Sequence, residues 1–154
     1  MPQGVFLAHT LQLYWELTSM TFIRPLPEID GLAKYYWEAA ARERLLVQKC
    51  FDCKMYQHYA RPICTHCGGV HLEFIEASQK ATVLSCTTIY KSPYDDLKIP
   101  YVLALVRLEE GVTILSHIID AVPNQNYCDV PVVACFEEFR EKFKLPVFRL
   151  AIQN

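Results

Sequence analysis

The chain has 154 residues, 52% of them hydrophobic, and a formal net charge of −2, enough for one ordinary domain or two small ones around a real core. The near-neutral balance argues against a general nucleic-acid binder, and no run of 18 apolar residues suggests a transmembrane helix. Seven cysteines are an odd number and do not read as a disulfide framework, which points to a reducing, cytoplasmic setting.

Residues 1–19 contain Phe6, Leu7, Leu11, Tyr14, Trp15 and Leu17 but no Lys or Arg. They lack the basic start of a signal peptide and are read as a peripheral extension, either weakly ordered or helical on a partner. Met20 is a candidate alternative start. Pro25 and Pro27 punctuate the entry to the next element. Ile29, Leu32, Ala33, Tyr36, Trp37 and Ala40 then recur at helical spacing, and Ala39, Ala40 and Ala41 favour helix. A helix is predicted over about 30–43, with Asp30 as N-cap. Tyr35, Tyr36 and Trp37 cannot all face one side, so one ring is expected at the surface or against a ligand.

Leu45 to Lys49 reads as a short strand leading into Cys50-Phe51-Asp52-Cys53. Ten residues later comes Cys64-Thr65-His66-Cys67, followed by Gly68-Gly69. Each Cys-x-x-Cys turn aims two thiolates at one point, and a short hairpin between them brings the turns together. Cys50, Cys53, Cys64 and Cys67 are therefore predicted to hold one tetrahedral metal ion. Zinc suits four thiolates without redox demand, while iron in the same cage stays open. Four thiolates close the coordination shell, so the ion is read as structural: a catalytic zinc keeps a position open. His66 is read as a solvated turn residue. His58 lies within the hairpin and could hydrogen-bond near the metal, although nothing in the sequence requires it. Met55 to Ala60 is predicted as a second short strand, ended by Arg61-Pro62, and the two glycines free the backbone after the second turn. Charge is uneven: residues 42–67 hold Arg42, Arg44, Lys49, Lys54 and Arg61 against Glu43 and Asp52, leaving 10 basic and 15 acidic residues elsewhere. The metal segment is a local basic island.

From Leu72 the pattern turns to strands. Predicted segments are Leu72 to Ala77, Ala81 to Tyr90, Tyr101 to Leu108, Val112 to Ile119 and Val130 to Phe136, with Leu145 to Phe148 closing the chain. Tyr101 to Leu108 is almost continuously apolar, which predicts cover on both faces. Gly111 suits a turn with positive φ. Phe136, Phe139 and Phe143 have helical spacing, so a local reading allows a helix at 136–144. About five strands joined by short turns suit a small antiparallel barrel.

The order of parts resembles an acyl-CoA-associated family whose members join a helix, a rubredoxin-like zinc ribbon and an OB-fold. The resemblance rests on Tyr36-Trp37, on Gln48 to Cys53, on Ala60 to Gly68, on Pro100 to Val106 with Leu108 to Val112, on Val130-Pro131-Val132, and on Leu145 to Phe148. It runs from about residue 27 to the end. It implies a mainly β protein: an extension at 1–27, a helical segment at 28–44, a zinc ribbon at 45–78 and a five-stranded OB-fold barrel at 79–154. It also implies strand, turn, strand in place of the 136–144 helix. The family usually has glycine where the first barrel strand begins and before Val-Pro-Val; here stand Gln79-Lys80-Ala81 and Cys128-Asp129.

The resemblance further implies a non-catalytic accessory subunit that binds or channels CoA thioesters for a thiolase-like, lipid-transfer-type, hydratase or aldolase partner. No Gly-x-Ser-x-Gly, phosphate loop or dinucleotide fingerprint opposes it. Contacts to CoA are expected between helix and ribbon, at Trp37, Lys54 and Arg61, where rings and positive charge meet. The competing reading is a single-stranded nucleic-acid-binding OB-fold with a zinc ribbon, although the barrel half has more acidic than basic side chains. Electron transfer through an iron-loaded cage is a third.

Overall fold

The computed structural model describes residues 23–140 and 143–151; the expectations for residues 1–19 lie outside them. Helix α1 spans Ala33–Ala41. Asp30 is not its side-chain cap. The N-cap is Leu32, without a side-chain bond, because Gly31 at φ +47° inserts a turn first. Asp30 instead offers its carbonyl to the N–H groups of Ala33 and Lys34, at 3.0 and 3.4 Å. At the other end Glu43 takes φ +60°. Arg44 N–H then reaches Ala39 O at 3.0 Å and Glu43 N–H reaches Ala40 O at 2.9 Å, the double closure that satisfies the last carbonyls of a helix. Ala39 and Ala40 are buried. Tyr35 is the ring left exposed, resting on Phe74 at 5.4 Å.

Strands β1 (Leu46–Cys50), β2 (Tyr56–Gln57) and β3 (Leu72–Glu76) form a small antiparallel sheet in the order β2-β1-β3. The second strand is far shorter than Met55 to Ala60. Beyond Gln57 a side chain replaces the ladder: the Arg61 N–H donates to Gln48 Oε1 at 2.7 Å. Strands β4 (Lys80–Ile89), β5 (Tyr101–Leu108), β6 (Thr113–Ile118), β7 (Pro131–Phe139) and β8 (Phe143–Leu150) close a barrel in the order β4-β5-β6-β8-β7. Only β6 and β8 run parallel, through Ile118 and Phe148. This five-stranded closed barrel is the expected OB-like architecture. Its core includes Val83, Val106, Val132 and the fully buried Phe148, and Leu45, Val47 and Ala77 from the ribbon side belong to the same cluster.

Two sequence expectations change here. The β5 run is not covered on both faces. Val102, Ala104, Val106 and Leu108 point inward and are buried, whereas Tyr101, Leu103 and Leu105 are half-buried and Arg107 is exposed. The 136–144 helix is absent: Phe139 pairs with Phe143 across the β7–β8 hairpin, and Arg140 turns at φ +41°. The hairpin buries Phe139 with the guanidinium groups of Arg24 and Arg140 at 4.5 and 5.3 Å from its ring, and Asp96 accepts from both arginines, at 3.2 and 2.8 Å. Among the described residues no helix is long and apolar enough to cross a membrane.

Gly111 has φ +87°, as its turn requires. More telling are Gln79 and Asp129, in the two stretches where the resemblance leads one to expect glycine: both have left-handed backbone, at φ +65° and +64°. That backbone conformation carries a steric cost of about 1–2 kcal/mol for an ordinary side chain. Gln79→Gly is therefore expected to stabilise the zinc-loaded chain by up to about 1 kcal/mol, visible as a higher melting temperature. Asp129→Gly should gain less, because Asp tolerates this region.

Candidate functional site

The sulfur atoms of Cys50, Cys53, Cys64 and Cys67 all lie within 4.8 Å of one another. Cys50 Sγ and Cys67 Sγ are 3.7 Å apart, as are those of Cys53 and Cys64. A tetrahedron with zinc–sulfur bonds of about 2.3 Å has edges of about 3.8 Å, so the spacing fits a metal; disulfides require about 2.05 Å. The two turns are built alike. In each, the first cysteine's N–H donates to the carbonyl five residues on: Cys50 to Met55 at 2.9 Å, Cys64 to Gly69 at 2.8 Å. In each, the residue after the second cysteine is left-handed: Lys54 at φ +65° and Gly68 at φ +74°. The N–H groups of His66 and Gly69 point at Cys64 Sγ and Cys67 Sγ, both at 3.4 Å. Gly69 serves space rather than φ: a Cβ there would collide with the Asp52 carboxylate and sit 3.2 Å from Cys67 Sγ.

The cluster is electrostatically unfinished without a cation. The N–H groups of Cys67 and His66 draw the Cys64 thiol down to about 6. The Gly69 N–H also lowers Cys67, but Cys53, desolvation and the other two sulfurs outweigh it and push that thiol up to about 12. Four sulfurs this close cannot all be thiolates on their own; a divalent ion makes them so. His66 is exposed, in keeping with a solvated turn residue. His58 does not serve the sulfurs. It packs on Tyr36 and Tyr59, with ring centroids 5.5 and 4.2 Å away.

Sequence inspection missed the buried amide pair that carries the second turn. Gln48 and Gln57 face each other across β1 and β2 and are 3% and 6% exposed, so unpaired polar atoms there would be costly. Gln57 Nε2 donates to Gln48 Oε1 at 2.8 Å, and Gln57 Oε1 accepts from Thr65 N–H at 2.9 Å. Gln48 Oε1 also accepts from Arg61 N–H. The pair thus fixes both ends of the 61–65 loop just ahead of Cys67. Gln57→Leu should cost about 1–2 kcal/mol by orphaning the Thr65 N–H and should speed zinc loss to a chromogenic chelator while leaving the far-ultraviolet spectrum intact.

Beside the ribbon lies a groove of about 330 Å³ where helix, ribbon and barrel meet. Tyr36 and Trp37 form one wall, His58 and Tyr59 another, and Leu103 and Leu115 of the barrel a third. Trp37 meets Tyr36 and Phe143 edge-on, at 5.2 and 5.8 Å. Of the three expected ligand contacts, only Trp37 lines this groove. Arg61 is exposed two residues beyond Tyr59, so chain reach holds its Cα within about 7 Å of that residue's. Lys54 stays on the first metal turn, its Nζ donating to Phe51 O at 2.7 Å. The structure therefore puts Trp37 in the groove wall, while neither Arg61 nor Lys54 lines it. Arg24 and His117 also line the groove; neither has a motif that a sequence reading could use.

Comparison with known proteins agrees with this architecture. Residues 37–71 match the family model described as ChsH2, rubredoxin-like zinc ribbon domain, and residues 74–137 match ChsH2, C-terminal OB-fold domain. A DUF35 domain-containing scaffold protein of Methanocaldococcus jannaschii is 31% identical over 99 residues, covering 63% of this chain and 70% of that protein. A probable enoyl-CoA hydratase alpha subunit of Thermomonospora curvata is 34% identical over 130 residues, covering 84% of this chain, yet the chain spans only 41% of that longer relative. The solved structure described as Ltp2-ChsH2(DUF35) aldolase superposes with a TM-score of 0.75 at 33% identity, over 82% of this chain and all of that one. With its helix, its four-cysteine site and its closed barrel in this order, the chain belongs to the ChsH2-type DUF35 family of rubredoxin-like zinc ribbons joined to an OB-fold.

Proposed function

We propose that this chain is a non-catalytic subunit that binds CoA thioesters in the cytoplasm and holds them for a thiolase-like, lipid-transfer-type, hydratase or aldolase partner. The observation that carries the reading is the ring-walled groove at the meeting of helix, ribbon and barrel, with the basic ribbon at its edge. A CoA thioester has that profile: an acyl chain on an uncharged arm that ends in phosphates. Two features support an accessory role. The metal shell is closed by four thiolates, leaving no position for a reacting water. The Ser116 hydroxyl beside the groove is occupied as a donor to Pro146 O at 2.8 Å. Relatives named as scaffold proteins support the role, and the hydratase activity in the alpha subunit's name belongs to a much longer chain. The solved relative's description joins a ChsH2(DUF35) chain to Ltp2 in an aldolase, which supports a partner enzyme here.

The test is calorimetry of the zinc-loaded chain with an acyl-CoA, together with affinity purification from the source cells and identification of what is retained. Saturable one-to-one heat and recovery of a thiolase-like, hydratase or aldolase protein are expected. Absence of both, or thioester turnover by the isolated chain, overturns the reading.

A further inference from the structure

We infer that the open edge of β3 is a self-association surface, on which a second copy of this chain pairs its own β3 antiparallel about Phe74. The ribbon sheet runs β2-β1-β3, so β3 has a neighbouring strand on one side only. The ladder shows which of its backbone groups face outward. Phe51 N–H donates to His71 O at 2.8 Å, and Ala77 N–H to Leu45 O at 2.9 Å. Between these bonds Lys49 lies opposite Glu73 and Val47 opposite Ile75. Residues 71, 73, 75 and 77 therefore use their backbone groups on the β1 side. In an antiparallel ladder the alternate residues aim theirs the other way. Among the described residues, nothing pairs with the backbone N–H and C=O of Phe74 and Glu76, or with the Leu72 carbonyl. Such a row is a template for another strand, and proline, lysine or a bulge would blunt it. This strand reads Leu-Glu-Phe-Ile-Glu and keeps an unbroken register.

The strand is complementary to itself. A two-fold axis through Phe74 sets Phe74 against its own copy, and the pair exchanges both backbone bonds. It sets Leu72 against Glu76, so each Leu72 carbonyl accepts the Glu76 N–H of the other copy. The Leu72 N–H stays with Val70 O, where it already donates at 2.9 Å. Glu73 falls opposite Ile75. No carboxylate faces a carboxylate, the pairing that would oppose association. Each acid is also matched within its own copy. Arg44 Nη1 lies 3.5 Å from Glu76 Oε2, and Lys49 stands across from Glu73.

Side chains add to the backbone pairing. Tyr35 is exposed and rests on Phe74 at 5.4 Å. The axis brings two such ring pairs together and shields aromatic surface that one copy leaves to water. Each three-stranded sheet then continues into the other, and the contact is closed by its two-fold symmetry.

The experiment is sedimentation of the full zinc-loaded chain between about 1 µM and about 1 mM, the span suited to a small interface. A reversible monomer–dimer equilibrium is expected. Phe74→Lys places like charges across the axis and should weaken dimerisation at least about tenfold, with zinc content unchanged. Phe74→Pro removes only an N–H that points away from β1, a position where an edge strand tolerates proline, and should do the same. Leu115→Glu, on the exposed barrel face, should leave the dimer intact. Register is read by disulfide capture in a Cys128→Ser background. Paired residues of this kind have Cα atoms about 5.5 Å apart, within disulfide reach. Phe74→Cys should therefore be trapped by oxidised glutathione as a covalent dimer: two thiols join in one disulfide, and the oxidant leaves as two glutathione thiols. Glu73→Cys, which faces Ile75 and not its own copy, should stay uncrosslinked. A chain that is monomeric throughout the range, or a dimer indifferent to both Phe74→Lys and Phe74→Pro, overturns the inference. So does a dimer lost with Leu115→Glu, which would place the contact on the barrel. None of these outcomes touches thioester binding, which calorimetry tests separately.

Discussion

Cys64→Ser should leave the purified chain almost free of zinc and unfold its ribbon. Serine keeps the size of the side chain but removes a soft thiolate that zinc prefers. The local fold has little else to hold it. Strand β2 has two residues, and an isolated sheet of this size is marginal in water. Structural zinc contributes an apparent 10–16 kcal/mol in small zinc-finger peptides, against about 5–15 kcal/mol for the whole stability of an ordinary domain. The loss should also reach the barrel, because Leu45 and Val47 sit in one cluster with Val83 and Phe148. A broad transition at markedly lower temperature is expected for the variant and for wild type stripped by a chelator, beside a sharp one for the zinc-loaded protein. Elemental analysis and thermal melts check this. Cys128→Ser is the control: that thiol is exposed and outside the cluster, so zinc content should not change. A wild-type chain that melts identically with and without its metal would falsify the structural role.

The metal centre was readable because its chemistry is local. Two thiolates three residues apart meet on one turn whatever surrounds them, and two such turns with glycine after the second leave few alternatives. The barrel strands were readable for a similar reason: β-branched and apolar runs broken by turn residues such as Gly111 mark extended segments and their ends. What could not be read depended on distant partners. Gln48 and Gln57 look like solvent-facing amides until their strands pair and the 61–65 loop folds over them. Asp96 lies in a loop of ordinary composition, and only the closed barrel shows it gathering Arg24 and Arg140. The Phe136, Phe139, Phe143 spacing fits a helix and a hairpin equally well; tertiary pairing across β7 and β8 decides between them. Asp30 failed as a cap because one glycine after it moved the helix start. The groove is the extreme case. Its walls come from positions 36–37, 58–59, 103, 115 and 145–147, and no single segment announces it.

Arg61→Glu should weaken acyl-CoA binding about 10- to 100-fold at low salt while leaving zinc content and melting temperature unchanged. The position separates two jobs. Its backbone N–H is bound to Gln48 and survives the substitution, so the loop keeps its shape. Its side chain is exposed and free to meet a phosphate. A charge-assisted bond of that kind is worth about 1.5–3 kcal/mol, and reversal adds repulsion. Screening should shrink the effect as salt rises. Acyl-pantetheine, which has no nucleotide, should bind the variant as it binds wild type. Lys54→Glu supplies the contrast, because Lys54 already donates to the Phe51 carbonyl at 2.7 Å and sits apart from the groove. Its effect on acyl-CoA should be several-fold smaller, with some loss in stability from the broken turn contact. Calorimetry of both variants with acyl-CoA at two salt concentrations decides the matter. If Lys54→Glu proves the more damaging, the nucleotide lies across the first metal turn, and Arg61 is no more than part of the basic surface around it.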